Sequence, residues 1–177
     1  MAYNEALYGS GHNFDQLITA EGMAFIARWE QFVDHWYEDG IWRSGPKEGQ
    51  AKFSIGFGHG EAGDYEPKVY DPTLKITYDQ GISIFRLDLE SKAKAVRNRL
   101  KVKVNSYQFN ALVSLVFNYG QGSVDKVNSV FPLLNQELYV AASVGFLKCN
   151  ILHGVEKNGL TVRRACEIAL FATRIDQ

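Results

Sequence analysis

The residues with the clearest potential for chemistry are two acids and a hydroxyl in the first third of the chain. Glu30 ends an apolar helical stripe, Asp39 comes nine positions later, and Ser54 lies in a predicted strand. A carboxylate at a helix end and a second in the loop that follows can face each other across a cleft. Glycosidic bond cleavage needs such a pair: one protonated acid serves the leaving oxygen, and one ionised carboxylate activates water or stabilises positive charge. On spacing alone, a helix cap, a dipole partner or a surface charge is the favoured interpretation of such a pair.

The elements that position these residues are predicted from periodicity and turn signals. An amphipathic helix starting at Thr19 is indicated by apolar residues at helical spacing: Phe25, Ile26, Trp29, Phe32 and Val33. The glycine- and proline-rich stretch 40–71, which includes the segment 52–55, favours hairpin strands and tight turns.

The remainder of the chain predicts helices. Thr77 and Gln80 have the spacing of a capping box and begin a helix that runs to about Leu100, and Asn105 and Gln108 repeat the signal. Further helical stretches are predicted at 129–135, 137–148 and 160–173. The order is a helix, a small β region and a helical bundle.

Composition narrows the class of protein. The 177 residues suit one domain, and 46% hydrophobic with 22% charged residues excludes disordered and fibrous classes. The net charge of -1 argues against a nucleic-acid binder, and no run reaches the roughly 20 apolar residues that membrane insertion needs. The N-terminal residues lack the pattern of a secretory signal, which predicts accumulation in a cytoplasm. Cys149 and Cys166 are predicted to be buried thiols rather than a disulfide, and no metal or other cofactor is expected.

Charge is distributed unevenly along the chain. Residues 1–40 carry seven acids against Arg28, whereas residues 86–103 carry seven bases against Asp88 and Glu90. The basic segment is either a solvated helix face, which we favour, or a surface for a polyanion such as a cell-wall polymer or nucleic acid.

Several sequence blocks resemble one family. They occur in family order over roughly residues 20–172 and comprise 29–32, 37–42, 53–59, 108–114, 117–120, 128–129 and 159–167. Together they resemble the phage-type lysozymes, glycoside hydrolase family 24, in which a Glu, eight residues and an Asp precede a Thr-Ile-Gly-Tyr-Gly-His run. Here eight residues separate Glu30 from Asp39, and Ser54 opens the corresponding run.

The resemblance implies a mostly helical α+β, lysozyme-like fold with two lobes joined by a long helix. An arm at 1–18 would precede one domain at 19–177, with a small β-hairpin lobe at about 40–75 and a helical lobe at about 100–173. The implied activity is hydrolysis of the β-1,4 bond between N-acetylmuramic acid and N-acetylglucosamine in peptidoglycan. The implied protein is a monomeric endolysin that waits in the host cytoplasm and reaches the cell wall after a holin-like partner breaches the membrane.

The resemblance also implies roles for residues. Glu30 is the expected general acid, Asp39 the second carboxylate, and Ser54 the hydroxyl that positions the attacking water. Arg163 occupies the place of an arginine that pairs with the catalytic Glu, although a surface ion pair is the competing interpretation.

Three residues fall at positions that resemble substrate contacts. Core packing is the favoured interpretation of Phe117, and the competing interpretations are a helix N-cap for Ser129 and a partner of buried backbone groups for Asn118. His59 is expected to be structural.

The chain departs from the family pattern in its hairpin. Fourteen residues separate Asp39 from Ser54 where the family has five, so nine extra residues within 42–52 should enlarge the hairpin. We expect them to form a mobile solvent loop, with a specificity element over the cleft as the alternative. Serine in place of threonine keeps the hydroxyl but loses the methyl that stiffens χ1. Two alternatives remain: a weakly active binding or scaffolding module of the same fold, and a lytic transglycosylase, which needs only one essential acid.

Overall fold

The computed structural model describes residues 16–42, 45–61, 66–120, 130–152 and 155–173. The chain divides into two compact units. Residues 24–91 contain a three-stranded sheet and are called the sheet unit. The described residues among 1–23 and 92–177 are mostly helical and are called the helical unit.

The first helix is shorter than its apolar periodicity predicts. Helix α1 spans Ala20–Ala27, and its predicted apolar partners Phe32 and Val33 lie beyond its end. The chain leaves the helix through a tight turn, in which the Trp29 amide donates to the Ile26 carbonyl at 2.9 Å. Val33 is instead the first residue of a strand, because pairing with a second strand satisfies the backbone there.

The sheet unit contains a three-stranded antiparallel sheet. Strand β1 spans Val33–Ile41, β2 spans Ala51–Gly56 and β3 spans His59–Gly60, in the order β1-β2-β3. The region predicted to hold hairpin strands therefore does, although the first strand starts earlier than expected. The register of β1 against β2 shifts twice, between Val33 and Tyr37 and again between Glu38 and Ile41.

One face of this sheet builds a small core. Trp36, Ile55 and Ile76 form its buried centre, and the Ile76 amide donates to the Asp34 carbonyl at 2.8 Å. Partly buried side chains pack around the centre: Phe32, Phe53, Leu74 and Ile84. This core leaves the opposite face of the hairpin free to carry polar side chains.

Helix α2 spans Tyr78–Arg97 and begins as the sequence predicts. The Thr77 amide donates to Gln80 Oε1 at 2.7 Å, and the Gln80 amide donates to Thr77 Oγ1 at 3.2 Å, which confirms the capping box. The periodicity of this segment places five apolar residues on one face: Phe85, Leu89, Ala93 and Val96 are buried there, and Ile82 is half-buried.

The helical unit is built around helix α3, which spans Ser106–Tyr119. Its capping box of Asn105 and Gln108 is present as predicted, and every residue from Phe109 to Val116 is buried. The elements that follow are α4 (Val130–Leu134), α5 (Tyr139–Gly145), a 3₁₀ helix (Phe146–Asn150), the short antiparallel strands β4 (Ile151–Leu152) and β5 (Val155–Glu156), and α6 (Asn158–Phe171). Helix α6 packs against both α3 and the 3₁₀ helix.

Candidate active site

A β-bulge brings two of the predicted site residues together. Glu38 pairs with Phe53 and Ile41 with Ala51, so Asp39 and Gly40 on β1 face the single residue Lys52 on β2. Gly40 has φ of 95°, a left-handed conformation that glycine adopts without a steric penalty. Asp39 therefore lies on a strand, and the expectation that it lies in a loop is wrong.

Ser54 contacts Asp39 directly. Its side chain is buried, and its Oγ donates a hydrogen bond to Asp39 Oδ2 at 3.0 Å. The Asp39 side chain is 46% exposed. The structure thus joins a buried hydroxyl to an accessible carboxylate despite the nine extra residues between them.

Lys52 is a third member of this group that sequence reasoning missed. Its Nζ lies 3.5 Å from Asp39 Oδ2. The alternation of side chains along a strand could have indicated it, because Lys52 and Ser54 are two residues apart on β2 and share one face.

Glu30 lies three residues beyond the end of α1 and is half-buried. It belongs to the same unit as Asp39. Burial raises the pKa of the Tyr37 phenol above its usual value of 10.0, and the negative charges of Asp39 and then Glu30 raise it further. Tyr37 therefore lies in the electrostatic field of both carboxylates and remains a neutral hydroxyl at physiological pH.

The hairpin tip is exposed but hydrogen-bonded. The Trp42 amide donates to the Gln50 carbonyl at 2.9 Å, and the Gly49 amide donates to the Trp42 carbonyl at 2.8 Å, so backbone pairing continues past the strands. Lys47 Nζ lies 3.1 Å from Glu61 Oε1 and 5.7 Å from the centre of the Trp42 ring. All described residues of the tip, 45–50, are exposed, which agrees with the expected solvent loop, and they form a hydrogen-bonded turn.

In the helical unit, Arg163 and Arg164 share one acidic partner. Arg163 Nε donates to Glu167 Oε1 at 3.3 Å, and Arg164 Nε lies 2.8 Å from Glu167 Oε2. Ser114 Oγ also donates to Glu167 Oε1, at 2.6 Å. All four residues are buried, so the alternative of a surface ion pair for Arg163 is wrong.

Burial sets the electrostatics of this cluster. It raises the pKa of Glu167 and lowers the pKa of Arg164, while the attraction between the two charges opposes both shifts. Sequence reasoning assigned no role to Glu167. The signal was present, because residues three and four positions apart on a helix lie on one face.

The predicted substrate contacts of this unit lie at and beyond the end of α3. Phe117 is half-buried. Asn118 is exposed, and its Oδ1 accepts a hydrogen bond from Arg164 Nη2 at 2.8 Å. Among the described residues, the partner of Asn118 is therefore a side chain, Arg164. Ser129 lies outside the described residues.

His59 makes the structural contacts expected of it. Its Nε2 donates to the Pro67 carbonyl at 3.0 Å, and its Nδ1 lies 2.9 Å from Asp88 Oδ2. The His59 side chain is 1% exposed and that of Asp88 is 14% exposed. Through these two contacts, His59 connects β3 to α2 and to the segment that contains Pro67.

Both cysteines are free thiols, as predicted, but the predicted burial holds only for Cys149, because Cys166 is half-buried. In the part of the chain that the structure describes, no three His, Cys, Asp or Glu side chains cluster as metal ligands would. None of the described helices is both long enough and apolar enough to cross a bilayer.

The small antiparallel sheet, the helices and the carboxylate–hydroxyl pair define a protein of the α+β lysozyme-like class. Among solved structures, the chain is similar to a P22 lysozyme mutant, with a TM-score of 0.72, 26% identity and coverage of 89% of this chain and 99% of that one. It also shares its fold with an endolysin of Escherichia coli phage FAHEc1, with a TM-score of 0.73, 24% identity and coverage of 89% and 94%.

Residues 27–167 match the model of the family described as phage lysozyme, and the chain belongs to that family. It is 31% identical over 118 residues to the endolysin of Salmonella phage P22, which covers 67% of this chain and 78% of the relative. It is 35% identical over 121 residues to the endolysin of Bacillus phage B103, covering 68% of this chain. The chain spans 43% of the length of that Bacillus phage relative.

Proposed function

We propose that the protein is an endolysin that hydrolyses the β-1,4 bond between N-acetylmuramic acid and N-acetylglucosamine in peptidoglycan. The observation that carries this proposal is the hydrogen bond from Ser54 to Asp39 at 3.0 Å. The enlarged hairpin was the strongest reason to expect a disabled site. The bulge and the extended backbone pairing of the hairpin instead keep the Ser54 hydroxyl within hydrogen-bond distance of the Asp39 carboxylate.

In the proposed reaction Glu30 protonates the glycosidic oxygen as it leaves. This role requires a carboxyl that carries its proton at the start of the reaction, and the half-buried Glu30 is partly open to a substrate oxygen. Asp39, accessible and hydrogen-bonded through Oδ2, acts as the ionised partner that activates water or stabilises the positive charge developing on the sugar. Ser54 orients this carboxylate and, through it, the water.

The helical unit contributes residues whose roles follow from their family positions. Arg163 is proposed to position the catalytic Glu, and Phe117, Asn118 and Ser129 are proposed to contact the glycan. The contact of Asn118 with the buried Arg164 supports an ordered amide at that position. We assign Arg164 and Glu167 to holding α6 against its neighbours.

The biological role proposed here is host-cell lysis. The names of the curated relatives support it, since those proteins are endolysins. Accumulation in the host cytoplasm, release through a holin-like partner and a monomeric state are parts of the same proposal.

The test is digestion of purified peptidoglycan by the wild-type protein and by Glu30→Gln. Removal of a general acid is expected to lower the rate by about 10²–10⁴-fold. Glu38→Gln is the matched control, because Glu38 is an exposed carboxylate on the same hairpin. It should retain full activity.

Mass spectrometry of the products distinguishes the alternatives. Reducing N-acetylmuramic acid ends are expected, whereas anhydro ends would identify a lytic transglycosylase. Binding of peptidoglycan without any cleavage would favour a binding or scaffolding module. Undiminished digestion by Glu30→Gln would refute the assigned mechanism.

A further inference from the structure

The carboxylate of Asp39 is held at one of its two oxygens. Oδ2 accepts the hydrogen bond from Ser54 and also lies 3.5 Å from Lys52 Nζ. Among the described residues, no hydrogen bond or ion pair reaches Oδ1. Because the side chain is 46% exposed, the unheld oxygen is accessible to water and to a substrate.

Lys52 is placed for this contact by the backbone around it. The bulge at Asp39 and Gly40 sets both residues opposite Lys52 on the neighbouring strand. On the other side, the lysine stem runs beside Gly60 of β3: a Cβ at Gly60 would lie 3.8 Å from Lys52 Cε, an ordinary contact distance. The stem can therefore lie along the sheet while its ammonium remains partly in water, with 36% of the side chain exposed.

We propose that Lys52 is a positioning residue that acts through Asp39, which deepens the function proposed above and rests on it. The ammonium and the Ser54 hydroxyl fix Oδ2 from two directions, and this leaves Oδ1 to face the reacting centre. A fixed carboxylate needs no reorganisation as charge develops in the transition state.

The test compares kcat and KM for Lys52→Met and Lys52→Arg on a soluble peptidoglycan fragment. Methionine keeps much of the stem and removes the charge, and it should lower kcat about fivefold while KM changes less than twofold. This size lies between the weak effect of an exposed ion pair and the large effect of a buried catalytic donor. Arginine should retain at least half of kcat, because it restores the cation. Lys68→Met removes an exposed lysine of the same unit and should change neither constant.

Thermal unfolding provides the structural control, and Lys52→Met should melt within about 2 °C of the wild type, since exposed ion pairs contribute little stability. A raised KM with unchanged kcat would overturn the proposal and make Lys52 a substrate-binding residue. Equal losses of kcat in the Lys52→Met and Lys52→Arg variants would overturn the proposal, because they would show that the positive charge of Lys52 does not determine kcat. An active wild type with unaffected Lys52→Met refutes this role alone, whereas an inactive wild type refutes the proposed function and this role with it.

Discussion

Removing the Ser54 hydroxyl isolates the contribution of one hydrogen bond to the proposed chemistry. Ser54→Ala deletes the donor to Asp39 Oδ2 and leaves the strand intact. A hydrogen bond to a charged group contributes about 1.5–3 kcal/mol. Asp39 is 46% exposed, so water can replace part of the interaction and the lower end of the range applies. A loss of about 1.4 kcal/mol in the transition state corresponds to a tenfold lower kcat.

Two further substitutions distinguish the effect of the Ser54 hydroxyl from the effect of side-chain size and shape. Ser54→Thr keeps the donor and adds a methyl group on the strand position paired directly with Gly60, which has no side chain. The extra methyl restricts χ1 and suits a strand, so Thr should match or exceed the wild-type rate. Ser54→Val has nearly the shape of Thr without a donor, and it should be as slow as Ala.

The assay is the initial rate of release of labelled fragments from purified peptidoglycan, measured over a range of substrate concentrations. Circular dichroism melts establish that each variant is folded at the assay temperature. Full activity of both Ser54→Ala and Ser54→Val would refute the reasoning, because the hydroxyl would then have no part in orienting Asp39. An inactive, well-folded Ser54→Thr would instead show that packing around β3 dominates.

Two further perturbations test the electrostatics and the packing of the sheet unit. The Tyr37 phenol should titrate above pH 10 in the native protein. Its contribution to the free energy of unfolding is therefore present below pH 10 and is lost as the pH rises through the pKa of the folded state. Asp39→Asn and Glu30→Gln should each lower that pKa in ¹³C NMR of labelled tyrosine, and no change in either variant would place the carboxylates away from Tyr37. His59→Gln removes a buried group that contacts both Asp88 and Pro67 and should destabilise the fold by about 3 kcal/mol in urea unfolding. A loss below about 0.5 kcal/mol would show that the pair contributes little.

Local signals in the sequence predicted the helix starts well. The capping boxes at Thr77 and Asn105 both form, because each depends on side chains and backbone groups within four residues. The buried stripe of α2 followed from its periodicity for the same reason. Such features are determined by the segment itself.

The end of α1 and the place of Asp39 depended on distant residues. An apolar spacing that fits a helix continues to Val33, but the strand partner at Gly56 decides the outcome. The bulge that turns Asp39 toward Lys52 depends on Gly40 and on register, neither of which periodicity reveals. Long-range pairing overrides local preference at these positions.

Only the family resemblance predicted that Asp39 and Ser54 lie in one site. The count of residues between them suggested that the enlarged hairpin would displace Ser54, and it does not. A residue count treats the whole segment between them as unpaired, flexible chain. The backbone pairs Ile41–Ala51 and Trp42–Gln50 instead extend the hairpin, so only the residues between Trp42 and Gln50 form the turn.

The same pairing has a consequence for protein engineering. The Trp42–Gln50 backbone pair lies between the turn and the hydrogen bond that joins Ser54 to Asp39. A change in the length of the turn should therefore leave the position of the Asp39 carboxylate unchanged. Doubling the length of a flexible loop costs only about 0.6 kcal/mol in closure entropy. The turn at residues 45–48 is therefore a position at which a short guest peptide, such as a targeting sequence, can be grafted next to the proposed catalytic carboxylate without rebuilding it.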